Sequence, residues 1–417
     1  MQCAARISLR RDASGRIKTQ SLLDHARPGA AGKAHLAVGD RLRRRSRPLL
    51  HRANRTDLPA RRNSGPALRD RRDCRADSGH CPEFPRQQPS RQSARDQRRR
   101  VGASAGGIAV IVAAGLSPAW QRILVFDSFE TGEVNRSRAS CECASGKVLN
   151  VGRALHALGA ESKTVSPIGG MSGALIRTEF KTDGIEAAWV DAPPPTRVCT
   201  TILNQKDGTT TELVEESAPL DDDVVTRFQQ TLKTAVDEAK SVILSGSLPA
   251  GVPADCYQQP VSGTSARLIL DLRGDELLAL LPLRPLVVKP NRSELAQTLR
   301  RDLNNDADLE QAMRDVNRLG AEWVVVTDGP RTVRASHRDG FLQVGPPQVD
   351  AVNPIGCGDC LAAGLAVGLG NGLDFAEALQ FAVAAAALNA TDLLPARLGR
   401  SAVQELANTV SVTSSAR

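Results

Sequence analysis

The sequence predicts an α/β fold: a mainly parallel central sheet covered by helices on both faces, a small β-sheet set apart from it, and an N-terminal extension without regular structure. Three observations carry this. From residue 108 onward, apolar runs of four to seven residues alternate with amphipathic stretches, the pattern of strands buried on both faces and joined by crossover helices. Segments 200–204 and 209–214 flank Lys206-Asp207-Gly208, a hairpin signal that a plain strand and helix alternation lacks. Residues 1–105 show neither helical nor strand periodicity and are rich in Arg, Ser, Pro and Gly.

The extension comes first along the chain. Its first hundred residues hold 24 Arg and 2 Lys against 9 acidic residues, a net of +17; the whole chain carries +8, so the remainder carries −9. A stretch of this composition cannot bury enough apolar surface to offset chain entropy. It reads as a disordered Arg-rich extension or as residues upstream of the translation start. A nucleic-acid-binding arm is the functional alternative, but the aromatic platforms and motif spacing of a folded nucleic-acid module are absent from the sequence.

The domain expected to fold, residues 106–410, is acidic, and no nucleic acid is expected to bind it. No membrane is expected either. The longest apolar run, 106–116, is interrupted by glycine and falls short of the roughly 18–20 residues of a spanning helix. Nine cysteines, at 3, 74, 81, 141, 143, 199, 256, 357 and 360, form no regular framework and read as free thiols in a reducing cytoplasm.

Within the domain, strands are expected at 108–114, 163–168, 242–245, 268–271, 286–289 and 323–327. One helix spans 147–158 and stops at Gly159. Another follows the acidic cap Asp221-Asp222-Asp223 through residue 240, and a third covers 306–319 before Gly320. Segments 123–126 and 133–139 add strand material to the hairpin. The small sheet is therefore expected over about 121–143 and 187–215, able to cover a site.

The segment Asn353-Pro354-Ile355-Gly356-Cys357-Gly358-Asp359-Cys360 leads into an apolar helix that runs to about Leu369. Two glycines flank one small residue where the helix begins. Glycine admits positive φ and close approach of a ligand, so the free N–H groups of the first turn can point at an anion. An acid inside the same turn faces that spot. The arrangement suits phosphoryl transfer, with N–H groups and helix dipole stabilising charge on the γ-phosphate and Asp359 taking the proton of the attacking hydroxyl. Taken by itself, the same spacing also fits a Gly-rich helix start in which Asp359 merely favours the dipole.

Other segments, in order, turn this into a resemblance. Leu116-Ser117-Pro118-Ala119-Trp120-Gln121 parallels L-N-P-A-x-D, and Ser145-Gly146-Lys147-Val148-Leu149-Asn150-Val151 parallels G-G-K-G-x-N-V. Ser245-Gly246-Ser247-Leu248-Pro249-Ala250-Gly251-Val252 and Val287-Val288-Lys289-Pro290-Asn291-Arg292-Ser293-Glu294-Leu295 follow, then the glycine turn with Cys357 in the alanine place of G-A-G-D. From about 108 to 400 the chain resembles the PfkB-type, ribokinase-like carbohydrate kinases, most of all the branch of 1-phosphofructokinase and tagatose-6-phosphate kinase.

The resemblance implies ATP and Mg²⁺ as cofactors, a sugar phosphate as substrate, a β lid, and a homodimer formed through that lid. It also implies roles at matched positions. Asp359 becomes the general base, and Gly356, Cys357 and Gly358 the anion hole. Lys289, Asn291, Glu294, Thr327 and Gly329 lie toward the nucleotide, with Glu294 meeting Mg²⁺ through water. Gln121, Gly146, Lys147, Asn150 and Ser247 lie toward the sugar, and Arg197 meets a substrate phosphate, for which its planar fork is well shaped.

Three departures fall on the sugar side. Gln121 stands where the branch has an aspartate, and an uncharged amide cannot bridge two hydroxyls as a carboxylate does. Val148 replaces a glycine and Ser145 another. Three readings follow: a kinase of a phosphorylated ketohexose, a kinase of a different acceptor, or a nucleotide-binding regulatory protein with a degenerate sugar site.

Overall fold

The computed structural model describes residues 9–11, 17–19 and 110–416. Inside the stretch expected to lack regular structure, Leu9–Arg11 and Ile17–Thr19 pair as an antiparallel two-stranded sheet. The rest of the extension lies outside the described residues.

A sheet of ten strands forms the middle layer. From one edge it runs Val412–Ala416, Gly340–Val344, Val333–His337, Trp323–Val326, Val287–Val288, Arg267–Asp271, Ala239–Ser245, Val110–Ala114, Ser162–Ile168 and Ala187–Asp191. The seven strands from Trp323–Val326 to Ala187–Asp191 are parallel, and the three at the other edge are antiparallel. Successive residues of one strand enter opposite cores. Ile111 and Ala113 join one apolar cluster while Val112 and Ala114 join the other, which is why the central strands read as unbroken apolar runs rather than alternating ones.

Helices Lys147–Ala157, Cys357–Gly370, Phe375–Ala390 and Arg400–Ala407 cover the first face. Helices Asp222–Asp237, Gly274–Leu280, Arg292–Leu299 and Asp306–Leu319 cover the second. Two of the first set lie unusually close. A Cβ on Gly364 would come within 2.7 Å of the Ala382 Cα, and one on Gly368 within 3.0 Å of the Ala378 Cα. Glycine against alanine seats the helix that starts at Cys357 firmly on the Ala-rich helix behind it.

The small sheet has four strands in the order Ala139–Ser145, Ala119–Phe126, Val198–Asn204, Thr209–Val214. The hairpin around Asp207 is present: the Asp207 carboxylate accepts from the N–H and hydroxyl of Thr209. Two expectations are corrected. Ala187–Asp191, expected within the small sheet, pairs in parallel with Ser162–Ile168 and ends the large one. Its half-buried pattern suits an edge strand of either sheet, and only the crossover through helix Gly170–Asp183 decides between them. Segment 133–139, expected as a strand, is loop as far as residue 138, because the Asn135 side chain bonds the backbone of Glu130 and Glu133 and closes a turn; the strand begins at Ala139.

Candidate active site

The carboxyl ends of neighbouring parallel strands bring chemistry together at one edge of the sheet, as crossover connections in such sheets require. Ser245 and Asp271 end adjacent strands and sit opposite each other. Lys289 follows Val287–Val288 and donates its N–H to Leu270 O. Asn291 forms an isolated parallel bridge with Thr327. Two helix starts, at Lys147 and at Cys357, complete the edge.

At the second start, Gly356 is the N-cap with φ +85°, and a Cβ there would press to 3.0 Å from Pro395. Both the left-handed backbone and the contact call for glycine. The N–H of Cys357 bonds Pro354 O and that of Cys360 bonds Gly356 O, leaving the N–H groups of Gly358 and Asp359 between them without a backbone acceptor. Asp359 is 5% exposed, and its Oδ2 accepts from Asn150 Nδ2 at 2.8 Å. Asn150 is held in turn by Ser145, whose hydroxyl donates to its Oδ1 at 3.1 Å. Burial, with the nearby charge of Asp271, pushes the Asp359 carboxyl up to about 6; Lys147, the Asn150 hydrogen bond and Lys289 pull the other way.

The two lysines meet on Asp271. Lys147 Nζ and Lys289 Nζ each lie 3.1 Å from Asp271 Oδ1, and Lys147 also reaches Glu294 Oε1 at 2.9 Å. Burial works against the charge on Asp271, yet the two ammonium groups outweigh it and hold its carboxyl below the ordinary value. Burial likewise opposes the charge on Lys147, and Asp271, Glu294 and Asp359 together reverse it, so this ammonium is held more tightly than usual. Lys289 also lies close to the glycine turn. A Cβ on Gly358 would stand 3.3 Å from Lys289 Nζ, so the small residue there lets a cation approach the first helical turn.

Asn291 and Glu294 form a reciprocal capping box: Asn291 Oδ1 accepts from Glu294 N at 2.8 Å, and Glu294 Oε2 from Asn291 N at 2.9 Å. The second carboxylate oxygen stays toward Lys147. Gly329, at φ +58°, lies in the turn after Thr327, where Asp328 holds Arg331 at 2.9 Å and Arg292 at 3.5 Å.

On the other side, Gly146 caps helix Lys147–Ala157 with φ +84°, and a Cβ there would crowd Ala119 N and Ser117 O at 3.0 Å. Ser247 and Ser117 hydroxyls lie 3.4 Å apart. Gln121 is buried, and its Nε2 donates to Thr201 Oγ1 at 2.7 Å. The Arg197 guanidinium donates to the carbonyls of Ser117, Pro118 and Glu215. Three of its five N–H groups are thereby directed at backbone. Val148 is buried in an apolar cluster with Ala144, Leu149 and Ile168.

Three residues of this neighbourhood escaped the sequence reading. Asp271 was visible only as the end of a strand, although the carboxyl end of a buried parallel strand is itself a signal. Ser145 stood out only as a departure, yet it orients Asn150. Asn389 gave no signal. It is 1% exposed; its Nδ2 donates to Ile355 O at 2.8 Å and to Cys357 Sγ at 3.3 Å, and its Oδ1 accepts from Ala396 N at 2.6 Å and from Cys360 Sγ at 3.4 Å. One buried amide thus braces the glycine turn.

Among the described residues, no cluster of three or more His, Cys, Asp or Glu side chains forms a cation cage, and no helix is long and apolar enough to cross a membrane. Asp271 Oδ2, buried and without a hydrogen-bond partner, together with Glu294 Oε1, nevertheless supplies hard oxygen donors next to the lysines. That set fits Mg²⁺, which keeps most of its water and takes one or two carboxylates.

Fold and site together define an α/β protein with a glycine-capped helix start, carrying unpaired N–H groups and a buried carboxylate, at the strand ends. Residues 120–396 match the pattern described as pfkB family carbohydrate kinase, and the chain belongs to that family. Solved structures agree. A protein of Staphylococcus aureus assigned as a phosphofructokinase is 26% identical, with TM-score 0.60, covering 74% of this chain and 99% of its own. Phosphofructokinase-2 of Escherichia coli, in complex with fructose-6-phosphate, is 25% identical, with TM-score 0.64 and coverage of 72% and 99%. The ribokinase of Thermotoga maritima, 19% identical with TM-score 0.58 and coverage of 72% and 99%, shares the fold. The ribokinase-like fold and the ATP-dependent carbohydrate kinase activity expected from the sequence hold.

Proposed function

We propose that the protein transfers the γ-phosphoryl group of ATP to a hydroxyl of a phosphorylated ketohexose, in the manner of 1-phosphofructokinase or tagatose-6-phosphate kinase. The observation that carries this is Asp359 itself: a carboxylate buried behind a left-handed glycine, on the first helical turn, with its pKa raised to about 6. At neutral pH such a group is mostly ionised yet basic enough to accept a proton, the compromise a general base needs.

Asp359, oriented by Asn150, takes the proton of the attacking hydroxyl while that oxygen bonds to the γ-phosphorus and the bond to the bridging oxygen of ADP breaks. The N–H groups of Gly358 and Asp359, in the turn Gly356-Cys357-Gly358, meet the equatorial oxygens on which charge is spread. Lys289 adds positive charge on the same side, and Lys147, expected toward the sugar, joins it there through its pairing with Asp271 and Glu294. Asn291, Thr327 and Gly329 line the nucleotide side. Glu294 and Asp271 would hold Mg²⁺ through its water, and the ion would supply positive charge against the phosphates. Gly146, Asn150, Ser247 and Gln121 face the sugar, and the two free N–H groups of Arg197 meet its phosphate.

A second reading has its own observation. Gln121 spends its amide N–H on Thr201 and offers no carboxylate to sugar hydroxyls, which favours a different acceptor. ADP release with Mg·ATP over a panel of free and phosphorylated sugars separates the two. Activity on a phosphosugar with KM raised at least about tenfold by Arg197→Ala, the size of one charge-assisted contact, supports the first. Turnover of free sugars alone gives the second. If ATP raises the melting temperature while no sugar releases ADP, the protein is a nucleotide-binding regulator and both fail.

The small sheet acts as a lid over the sugar, and a second copy docks on it, since Leu213 and Val214 are exposed on its edge strand. Sedimentation of a Leu213→Lys variant, expected as a monomer, tests this. The thiols of Cys143, Cys199, Cys256, Cys357 and Cys360 support a reducing cytoplasm as its compartment.

A further inference from the structure

Helix Cys357–Gly370 opens with Cys357-Gly358-Asp359-Cys360, two thiols three residues apart with Asp359 between them. Residues at that spacing stand on one helix face. Helix geometry sets their Cα atoms about 5 Å apart, inside the range a disulfide spans. Both thiols touch the same amide: Asn389 Nδ2 donates to Cys357 Sγ at 3.3 Å, and Cys360 Sγ donates to Asn389 Oδ1 at 3.4 Å. Cys357 is half-buried and Cys360 fully buried, so one sulfur is reachable from outside and the other waits behind it.

We infer that Cys357 and Cys360 form a reversible dithiol–disulfide site that closes across the catalytic turn and silences it. The oxidant is a low-molecular-weight disulfide such as oxidised glutathione. The Cys357 thiolate attacks one sulfur of that disulfide, forming a mixed disulfide and releasing one thiolate. Cys360 then attacks the Cys357 sulfur as its proton passes to the leaving sulfur, forming the internal disulfide and releasing the second half of the oxidant as a thiol. Two protein thiols are oxidised, and one external disulfide is reduced to two thiols.

Closure strands no buried polar group. Asn389 keeps Ile355 O for its Nδ2 and Ala396 N for its Oδ1. The change falls on the turn instead, because drawing Cys357 toward Cys360 moves the backbone that carries the N–H groups of Gly358 and Asp359. Burial pushes the Cys357 thiol up to about 11, with Asp359 adding to the rise and the Asn389 hydrogen bond opposing it. Exchange is therefore slow at neutral pH and quickens with alkalinity. A thiol pair of this kind in a reducing compartment serves as a sensor rather than a structural bond.

The effect on turnover rests on the kinase reading; the covalent site does not. The test treats the whole protein with oxidised glutathione at mildly alkaline pH and maps alkylated peptides without reduction. An internal link between residues 357 and 360, two hydrogens lighter than the reduced peptide and reversed by dithiothreitol, is expected. Cys360→Ala should stop at the mixed disulfide on Cys357. The linked protein should release ADP at least about tenfold more slowly, in line with the sensitivity of phosphoryl transfer to small displacements, and dithiothreitol should restore the rate. Oxidation of other cysteines with 357 and 360 left as thiols overturns the site. A linked protein as active as the reduced one overturns the silencing. If the reduced protein turns over no sugar, the kinase reading fails separately; the peptide map still decides the site, and an unchanged ATP-induced rise in melting temperature on oxidation overturns its effect on the turn.

Discussion

Replacing Asp359 by asparagine should slow turnover steeply and, at the same time, make the protein more stable. The carboxyl titrates near 6 in the folded chain against 3.8 as its ordinary value, so the folded state holds a proton that the unfolded chain releases. For a raised carboxyl the sign is fixed: stability is lost as pH climbs from 3.8 through 6, and the full loss is present above. The difference corresponds to about 3 kcal/mol at pH 7, with roughly half of it remaining at pH 5. Asparagine removes the charge and keeps the shape, and its carbonyl still accepts from Asn150. Over a folded part of roughly 300 residues, about 3 kcal/mol raises the melting temperature by about 5 °C. Calorimetry of both proteins from pH 4 to 8 measures it, beside ADP release, which should fall by about 10²–10⁴-fold as for loss of a general base. An Asn variant that melts lower at pH 7, or a gain that does not shrink toward pH 4, refutes the account of Asp359 as a charge held against its burial. Turnover that survives the substitution removes it as the base.

The acid limb of the pH–rate profile should follow the neighbours of Asp359. Asp271→Asn removes the like charge that raises it, so the limb should move to lower pH, and Asn150→Ala removes the hydrogen bond that lowers it, so the limb should move higher; shifts of about one unit are the scale of single neighbours. Kinetics of kcat/KM from pH 4.5 to 8 read both, and movement in the same direction would break the assignment. Gly356→Ala forces a side chain to φ +85° and against Pro395, and should cost about 1–3 kcal/mol in urea unfolding. Lys289→Met should weaken Mg·ATP more than sugar, seen as a KM rise for the nucleotide by itself.

The sequence determined the large elements and the glycine-capped start of the helix at Cys357, because both are local. A strand buried on two faces must be apolar throughout, a helix start with a left-handed N-cap pressed against Pro395 needs Gly356, and Asn291 with Glu294 writes its own capping box within four residues. Local chemistry likewise marked Asp207 and Gly208 as a hairpin. What the tertiary structure decided is which distant groups share a dielectric. Asp271 lies 124 residues from Lys147 yet bonds it, because crossover topology brings one strand end beside one helix start. That pairing, with the depth of burial, sets the pKa of Asp359. The allocation of Ala187–Asp191 to the large sheet, the burial of Val148 in an apolar cluster and the brace of Asn389 across 34 residues to Ile355 are of the same kind. Side-chain periodicity states how far a residue is buried; only the packed chain states against what.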